Sequence, residues 1–236
     1  MQHLDLTLPT VADNLALDEA LLLGAESGAI GEVLRIWEWR EPAVVLGSAC
    51  RLAEDVDVAA CDAESVPILR RSSGGGTVLL SAGCLLFSLI LRYDHDPALS
   101  EIRSSYLYIL GHIAQALAID GITAAGTSDL ALGGRKFSGN AQQRKRHFLL
   151  HHGTLLYAFD LSSVGRYLRL PPRQPEYRAG REHAEFLINL PLSANELKQR
   201  LRDAWGARTL LRDWPEDLTR QLKTEKYDRR EWSYRR

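Results

Sequence analysis

Arg70-Arg71-Ser72-Ser73-Gly74-Gly75-Gly76-Thr77-Val78 stands between two strand-like stretches, VPILRR (66–71) and TVLL (77–80). Three consecutive glycines are costly in chain entropy, so a turn or a closely approached ligand must require them. On spacing alone, a flexible hairpin turn and a ligand-facing loop are equally good readings. In the second, bare N–H groups point at an anion, and Arg70 and Arg71 add charge for a phosphate or carboxylate. The segment is no P-loop, because the GxxxxGK[ST] spacing is absent. It is no dinucleotide fingerprint either, because it enters a strand rather than a helix.

Upstream, residues 13–25 carry Leu15, Leu21, Leu22 and Ala25 at helical spacing, with Asp13 as the N-cap. Residues 33–39 alternate as a strand, Glu41-Pro42 turns the chain, and 43–47 form the second strand of an expected β-hairpin. Residues 52–64 are weakly helical. Downstream, TVLL and CLLFSLIL are strands around Ser81-Ala82-Gly83, and 97–119 hold the longest helical pattern. Residues 129–137 read as a hairpin turning at Gly133-Gly134. Two further strand pieces, 148–150 and 153–159, flank His151-His152, and 170–181 form a Pro/Arg-rich loop. Ser193 and Glu196 make a capping box for a helix over 193–205. No repeat or linker divides the chain, and the strands follow one another without long crossover helices. The expectation is one α+β domain over 1–236, with a mixed, largely antiparallel sheet flanked by helices.

With 236 residues, 45% hydrophobic and 25% charged, the composition is globular and excludes disordered, collagen-like and disulfide-scaffold classes. The net charge of −1 argues against a whole-surface nucleic-acid binder. Cys50, Cys61 and Cys84, an odd set at unrelated spacings, fit a reducing compartment. The first residues lack a secretory pattern. The apolar stretch 78–91 is broken by Ser81, Gly83 and Ser88, short of the roughly 18 residues a membrane span needs. The expected protein is cytoplasmic, with neither nucleic acid nor membrane as partner.

Two more segments carry chemistry. In GGRKFSGNAQ (133–142), Lys136 sits between a tight turn and the small polar run Ser138-Gly139-Asn140. In LLHHGTLL (149–156), the adjacent histidines of a strand point to opposite faces. A metal site would need further ligands at suitable spacing. A hydrogen-bonded structural histidine is the better reading, and no metal site is expected.

Taken together, Arg71-Ser72-Ser73-Gly74-Gly75-Gly76-Thr77-Val78, Lys136-Phe137-Ser138-Gly139-Asn140-Ala141 and His151-His152-Gly153-Thr154-Leu155-Leu156 resemble, in order, three motifs of the lipoate–protein ligase family. Asn14-Leu15-Ala16 with Asp18-Glu19 resembles the family's first helix, Ser128-Asp129-Leu130 its Asn-Asp-Leu, and Lys226-Tyr227 with Trp232 its closing segment. The resemblance runs from about residue 10 to the end. It implies the class II synthetase-like biotin/lipoate ligase fold, with an acyl pocket under the glycine loop. It also implies a reaction: lipoate and ATP form lipoyl-adenylate and pyrophosphate, and a lysine of an acceptor lipoyl domain attacks the mixed anhydride. Such chemistry needs anion binding and fixed geometry rather than a side-chain nucleophile. Lys136 is then the catalytic residue. Substrate and ATP fall to Arg71, Ser73, Gly74, Gly75, Gly76, Thr77, Val78, Leu79, Gly83, Asp129, Ser138, Gly139, Asn140, His152, Gly153 and Thr154. Mg²⁺ bridges phosphates.

Octanoyltransferases share this fold but use a cysteine thioester. One branch carries Cys just before the lysine hairpin, where this chain has Gly126-Thr127-Ser128-Asp129. Another has Pro-Cys-Gly after the histidine strand, where this chain has Leu170-Pro171-Pro172-Arg173. Both differences favour the adenylating ligase. Cys84 falls where ligases often have Asn, so it is the thiol to watch, and Leu80-Ser81 replaces the family's His-Asp. The biotin ligase pattern Gly-Arg-Gly-Arg is not matched. The chain stops where an accessory domain begins in many such ligases. A separate accessory subunit, a ligase that works without one, and a partner-dependent half-enzyme all remain open. The tail 219–236 has seven Lys/Arg and three Asp/Glu. It is either a solvated, frayed end or a docking surface for an acidic, lysine-bearing lipoyl domain.

Overall fold

The strand Cys84–Arg92 is buried from its first residue to Leu91, so both of its faces and both of its edges must be covered. The computed structural model describes residues 1–236. In chain order the elements are β1 (Gln2–Asp5), α1 (Val11–Glu26), β2 (Val33–Glu38), β3 (Ala43–Leu46), β4 (Ile68–Arg70), β5 (Val78–Leu80) and β6 (Cys84–Arg92). There follow α2 (Ile102–Leu117), β7 (Ile122–Ala125), β8 (Asp129–Leu132), β9 (Arg135–Arg144), β10 (Phe148–Leu156), α3 (Ala194–Ala204) and β11 (Thr209–Leu210). Short helical turns lie between these elements and after β11.

Eight strands make one sheet in the order β11-β1-β2-β6-β10-β9-β8-β7. β1 runs parallel to β2 and β11, and the other neighbours are antiparallel. This is the mixed, largely antiparallel sheet expected of the sequence. The alternation of strand side chains sorts the core into two layers. Leu34, Ile36, Phe87 and Leu89 face α2 and α3, while Val33 and Ile90 face Leu17, Leu21 and Leu22 of α1.

A second sheet, β4-β3-β5, corrects the expected β2–β3 hairpin. β2 is already paired with β1 on one edge and β6 on the other, so no ladder is left for β3. β3 instead pairs with β4 in parallel and β5 in antiparallel. β5 and β6, adjacent in sequence, lie in different sheets for the same reason. The two histidine-flanking pieces are one continuous strand, β10. Helix α1 begins earlier than its apolar spacing indicates. Thr10 is its N-cap and Asp13 sits at N3, and the two side chains cap each other's backbone amides. The Gly133-Gly134 hairpin and the Ser193/Glu196 capping box form as read.

Arg35 of β2 is fully buried. Its Nη1 donates to Asp18 Oδ1 at 2.6 Å and to the Asn14 carbonyl at 2.8 Å, and Nη2 donates to Asn14 Oδ1 at 2.5 Å. Apart from the Leu6 carbonyl, which accepts from Nη2 at 3.1 Å, the partners come from α1, so this cation locks the helix to the centre of the sheet. Burial opposes ionisation of Asp18, but Arg35 and His152 outweigh it and hold the carboxyl below its usual range.

The C-terminal tail is neither frayed nor free. Lys226 Nζ and the Tyr227 hydroxyl both reach Glu19 at 2.7 Å. The Trp232 indole donates to the Arg70 carbonyl at 2.7 Å. Arg70, which the sequence offered to an anion, spends its guanidinium on the carbonyls of Gly47, Cys50 and Ser233. No helix is long and apolar enough to cross a membrane.

Asp18→Asn is expected to cost about 3–5 kcal/mol, because it strands a buried guanidinium. In the wild type this stabilisation is complete above the unfolded carboxylate value of roughly 4 and is lost as pH falls through the lower folded value. Urea unfolding from pH 7 down to pH 3 measures both effects. Trp232→Ala should cost about 2 kcal/mol by the same measurement, through lost packing and the orphaned Arg70 carbonyl.

Candidate active site

The glycine loop is not a hairpin turn. Its flanking strands β4 and β5 do not pair with each other, because β3 runs between them. The loop therefore arches over the end of β3, where a side chain at Gly47 would collide with the Gly75 carbonyl. Gly75 has φ +80°, a conformation glycine alone adopts without strain. Arg71 holds the arch from within. Its Nη2 donates to the carbonyls of Gly74 (2.5 Å) and Gly76 (2.8 Å), its Nη1 to Val45 and its Nε to Ser73 Oγ. Burial lowers its pKa to about 10, so it stays charged at neutral pH. With the Gly74 and Gly76 carbonyls turned toward Arg71, the amides of Gly74, Gly75 and Gly76 find no acceptor in the chain.

Beneath the arch lies a cavity of about 190 Å³. Its wall is apolar at Leu15, Trp37, Val45, Val78, Leu80 and Leu86. Its floor is the sheet face toward α1. Arg35, Ser88 and His152 stand opposite one another in register, and Trp37, Leu86 and Thr154 form the next row. Of the sequence-expected residues, Arg71, Gly76, Thr77, Val78, Asp129, Lys136, Gly139, Asn140, His152, Gly153 and Thr154 line it. A wider chamber of about 860 Å³ adjoins it and shares Gly76, Thr77, Lys136, Gly139 and Thr154. That chamber adds Gly75, Leu79 and Ser138 from the expected set, together with Arg51, Arg169, Arg173 and Arg178.

Polar contacts join floor to roof. Asp18 Oδ2 lies 3.3 Å from His152 Nδ1, and His152 Nε2 lies 2.6 Å from Ser73 Oγ, which accepts from Arg71 Nε at 3.0 Å. With Nδ1–H given to Asp18, Nε2 accepts the Ser73 hydroxyl proton. His151 points to the other face, stacked on Phe87 and 3.1 Å from Gln142. Burial pushes its pKa down to about 3, so it is neutral and structural.

Lys136 stands at the junction of the two cavities. Its Nζ is 2.7 Å from Asp129 Oδ1, and the Tyr177 hydroxyl donates to Asp129 Oδ2 at 2.8 Å. A register break between β8 and β9 buries Phe137 while Lys136 faces the cavities. A Cβ at Gly139 would stand 2.8 Å from Nζ, so a larger residue there would displace the amine. At Gly153 a Cβ would strike the Asn140 amide oxygen, and Asn140 is held by the Ser128 carbonyl.

Three expected residues line neither cavity. Ser73 and Gly74 act behind the arch, through His152 and Arg71. Gly83 is remote, since its backbone packs against Ala158. Cys84 is also outside, fully buried, with its thiol pushed up to about 12. Residue reading missed Asp18, Ser88 and Trp37 as cavity residues. Period-two register along β2 and β6 was the signal available for the last two. Tyr177 and Arg178 lay in a loop with no periodicity to place them. No cluster of three or more His, Cys, Asp or Glu has metal-holding geometry.

The family profile described as lipoyl protein ligase A/B catalytic domain matches residues 10–204. Octanoyltransferase LipM of Carboxydothermus hydrogenoformans is 30% identical over 257 residues, which cover 95% of this chain and 94% of that protein. Lipoate–protein ligase 1 of Staphylococcus aureus is 28% identical over 247 residues, covering 98% of this chain and 72% of its own length. A crystal structure of lipoate-protein ligase A bound with ATP shares the fold, with a TM-score of 0.82 at 22% identity over 99% of this chain and 98% of that one. The three motifs that meet around Lys136 thus stand in a chain that belongs to the lipoyl protein ligase A/B catalytic-domain family and is an enzyme of the transferase or ligase kind.

Proposed function

We propose that the chain is an ATP-dependent lipoate–protein ligase and that residues 1–236 act as one catalytic unit. The observation that carries this reading is Lys136. A single amine stands between a small apolar cavity and a wider cationic chamber, under an arch of unpaired amides. The inner cavity takes the acyl chain and the chamber takes the nucleotide.

In the first step a lipoate carboxylate oxygen attacks the α-phosphorus of ATP, and the bond to pyrophosphate breaks. Lys136 leaves Asp129 for the carboxylate and α-phosphate oxygens, where charge accumulates. The Gly75 and Gly76 amides supply fixed dipoles. In the second step an acceptor lysine attacks the acyl carbon, AMP departs, and the amine loses a proton. The arch and Asn140 keep the acyl carbon in place for that attack. Glu54 and Asp55 on the chamber wall, one oxygen of each held by Arg51 and Thr77, would lend their other oxygens to a Mg²⁺ brought in with the nucleotide. When bound, Mg²⁺ offsets phosphate charge. The acceptor is the lysine of an acidic lipoyl domain.

A second reading has one specific support, the octanoyltransferase named among the relatives. It requires a thiol at the site. Cys50 lines the outer chamber, 3.4 Å from the Gly75 carbonyl, and burial raises its pKa. A raised pKa lowers the thiolate fraction, and no cysteine lines the inner cavity. The adenylating route is therefore preferred.

Incubated with lipoate, ATP and Mg²⁺, the wild-type chain should release pyrophosphate and add one lipoyl group to a lipoyl domain. Lys136→Ala should reduce both by at least about 100-fold while far-UV circular dichroism stays unchanged. Pyrophosphate release without transfer would identify the half-enzyme. The double variant Cys50→Ser/Cys84→Ser should retain ATP-dependent transfer. Transfer from octanoyl carrier protein without ATP, lost in that variant, would establish the thioester route instead.

A further inference from the structure

Ser88 lies on β6 in the wall of the inner cavity, fully buried, and its hydroxyl has no hydrogen-bond partner. Its register neighbours leave it unpaired. The Arg35 Nη groups are taken by Asp18, Asn14 and the Leu6 carbonyl, its Nε–H is unpaired like the Ser88 hydroxyl, and both ring nitrogens of His152 are committed to Asp18 and Ser73. A buried hydroxyl without a partner is destabilising. It is retained here on a cavity wall that is otherwise largely apolar.

The position matters as much as the vacancy of the hydroxyl. Gly139, which underlies the Lys136 amine, lies beside Thr154, and Ser88 pairs with His152. Two strand spacings and two residues of rise therefore separate the amine from Ser88, about 12 Å. A carboxylate seated at Lys136 brings the far end of an extended eight-carbon acid to the Ser88 hydroxyl. A terminal methyl would leave that hydroxyl unpaired. A ring sulfur accepts a hydrogen bond, weakly.

We propose that Ser88 is a specificity-determining residue that favours an acyl chain ending in a cyclic disulfide over one ending in hydrocarbon. This rests on the reading of the inner cavity as the acyl site. The probe is a pair of acids of one shape: lipoate, and 5-cyclopentylpentanoate, in which methylenes replace both sulfurs. Calorimetric binding of each free acid, without nucleotide, is compared for wild type and Ser88→Ala, alongside ATP-dependent transfer of each. The wild type should prefer lipoate, and Ser88→Ala should shrink that preference by about three- to tenfold, the worth of one modest hydrogen bond. The melting temperature of the variant should not fall, which separates recognition from misfolding. An unchanged preference, an equal loss for both acids, or binding of neither by the wild type would overturn the proposal. Preferential binding without ATP-dependent transfer would leave Ser88 in its role and defeat the ligase reading alone.

Discussion

A guanidinium buried in the middle of a sheet constrains everything around it. Arg35 can stay charged there only because α1 brings Asp18 and two groups of Asn14 to it. Such pairs add little net stability compared with apolar packing, but losing one partner is expensive. The contact therefore acts on geometry, fixing the height and rotation of α1 over the sheet. Asp18 has a second oxygen, and it faces His152. From there the chain of contacts runs through Ser73 to Arg71 and into the glycine arch. The roof of the cavity is thus tied to the charge under its floor.

The arch has a topological cause as well. With both edges of β2 occupied, β3 is expelled into a second sheet, and the loop from β4 to β5 must cross its end. That crossing lifts the backbone off the large sheet and leaves room beneath it. Arg71 then fills the inside of the curve with donors for the Gly74 and Gly76 carbonyls, and the three glycine amides are left without an acceptor in the chain. Two arginines adjacent in sequence serve the framework in this way. Arg70 gathers the carbonyls of the β3 end and the C-terminal segment, and Arg71 shapes the arch.

Much of this is legible in the sequence. Period-two alternation located β2, an apolar run after Ser81-Ala82-Gly83 located β6, the Gly133-Gly134 pair located the β8–β9 turn, and the capping box located the start of α3. The residues around Lys136 were found because their motifs are local: Gly139 sits three positions on, where it leaves room for the amine. What could not be read is pairing. Whether 43–46 returns to 33–38 depends on which edges distant strands have already taken, and no local pattern records that. The same limit explains the arginines. Charge beside a glycine run resembles an anion clamp until the carbonyls that surround it are known. Tyr177 was invisible because its partner, Asp129, lies 48 positions away across an aperiodic loop.

The ion pair at the mouth of the site has a consequence for selection among ligands. Lys136 is held by Asp129, which Tyr177 holds in turn. If the proposed site takes an acid at Lys136, that acid must exchange with a carboxylate the protein carries itself. A small anion offers the amine nothing that Asp129 does not already provide. Only an acid whose tail also fills the apolar space gains more than the exchange costs. On the proposed reading of the site, the resident carboxylate works as an internal reference ligand, against which each candidate substrate is measured before its chemistry begins.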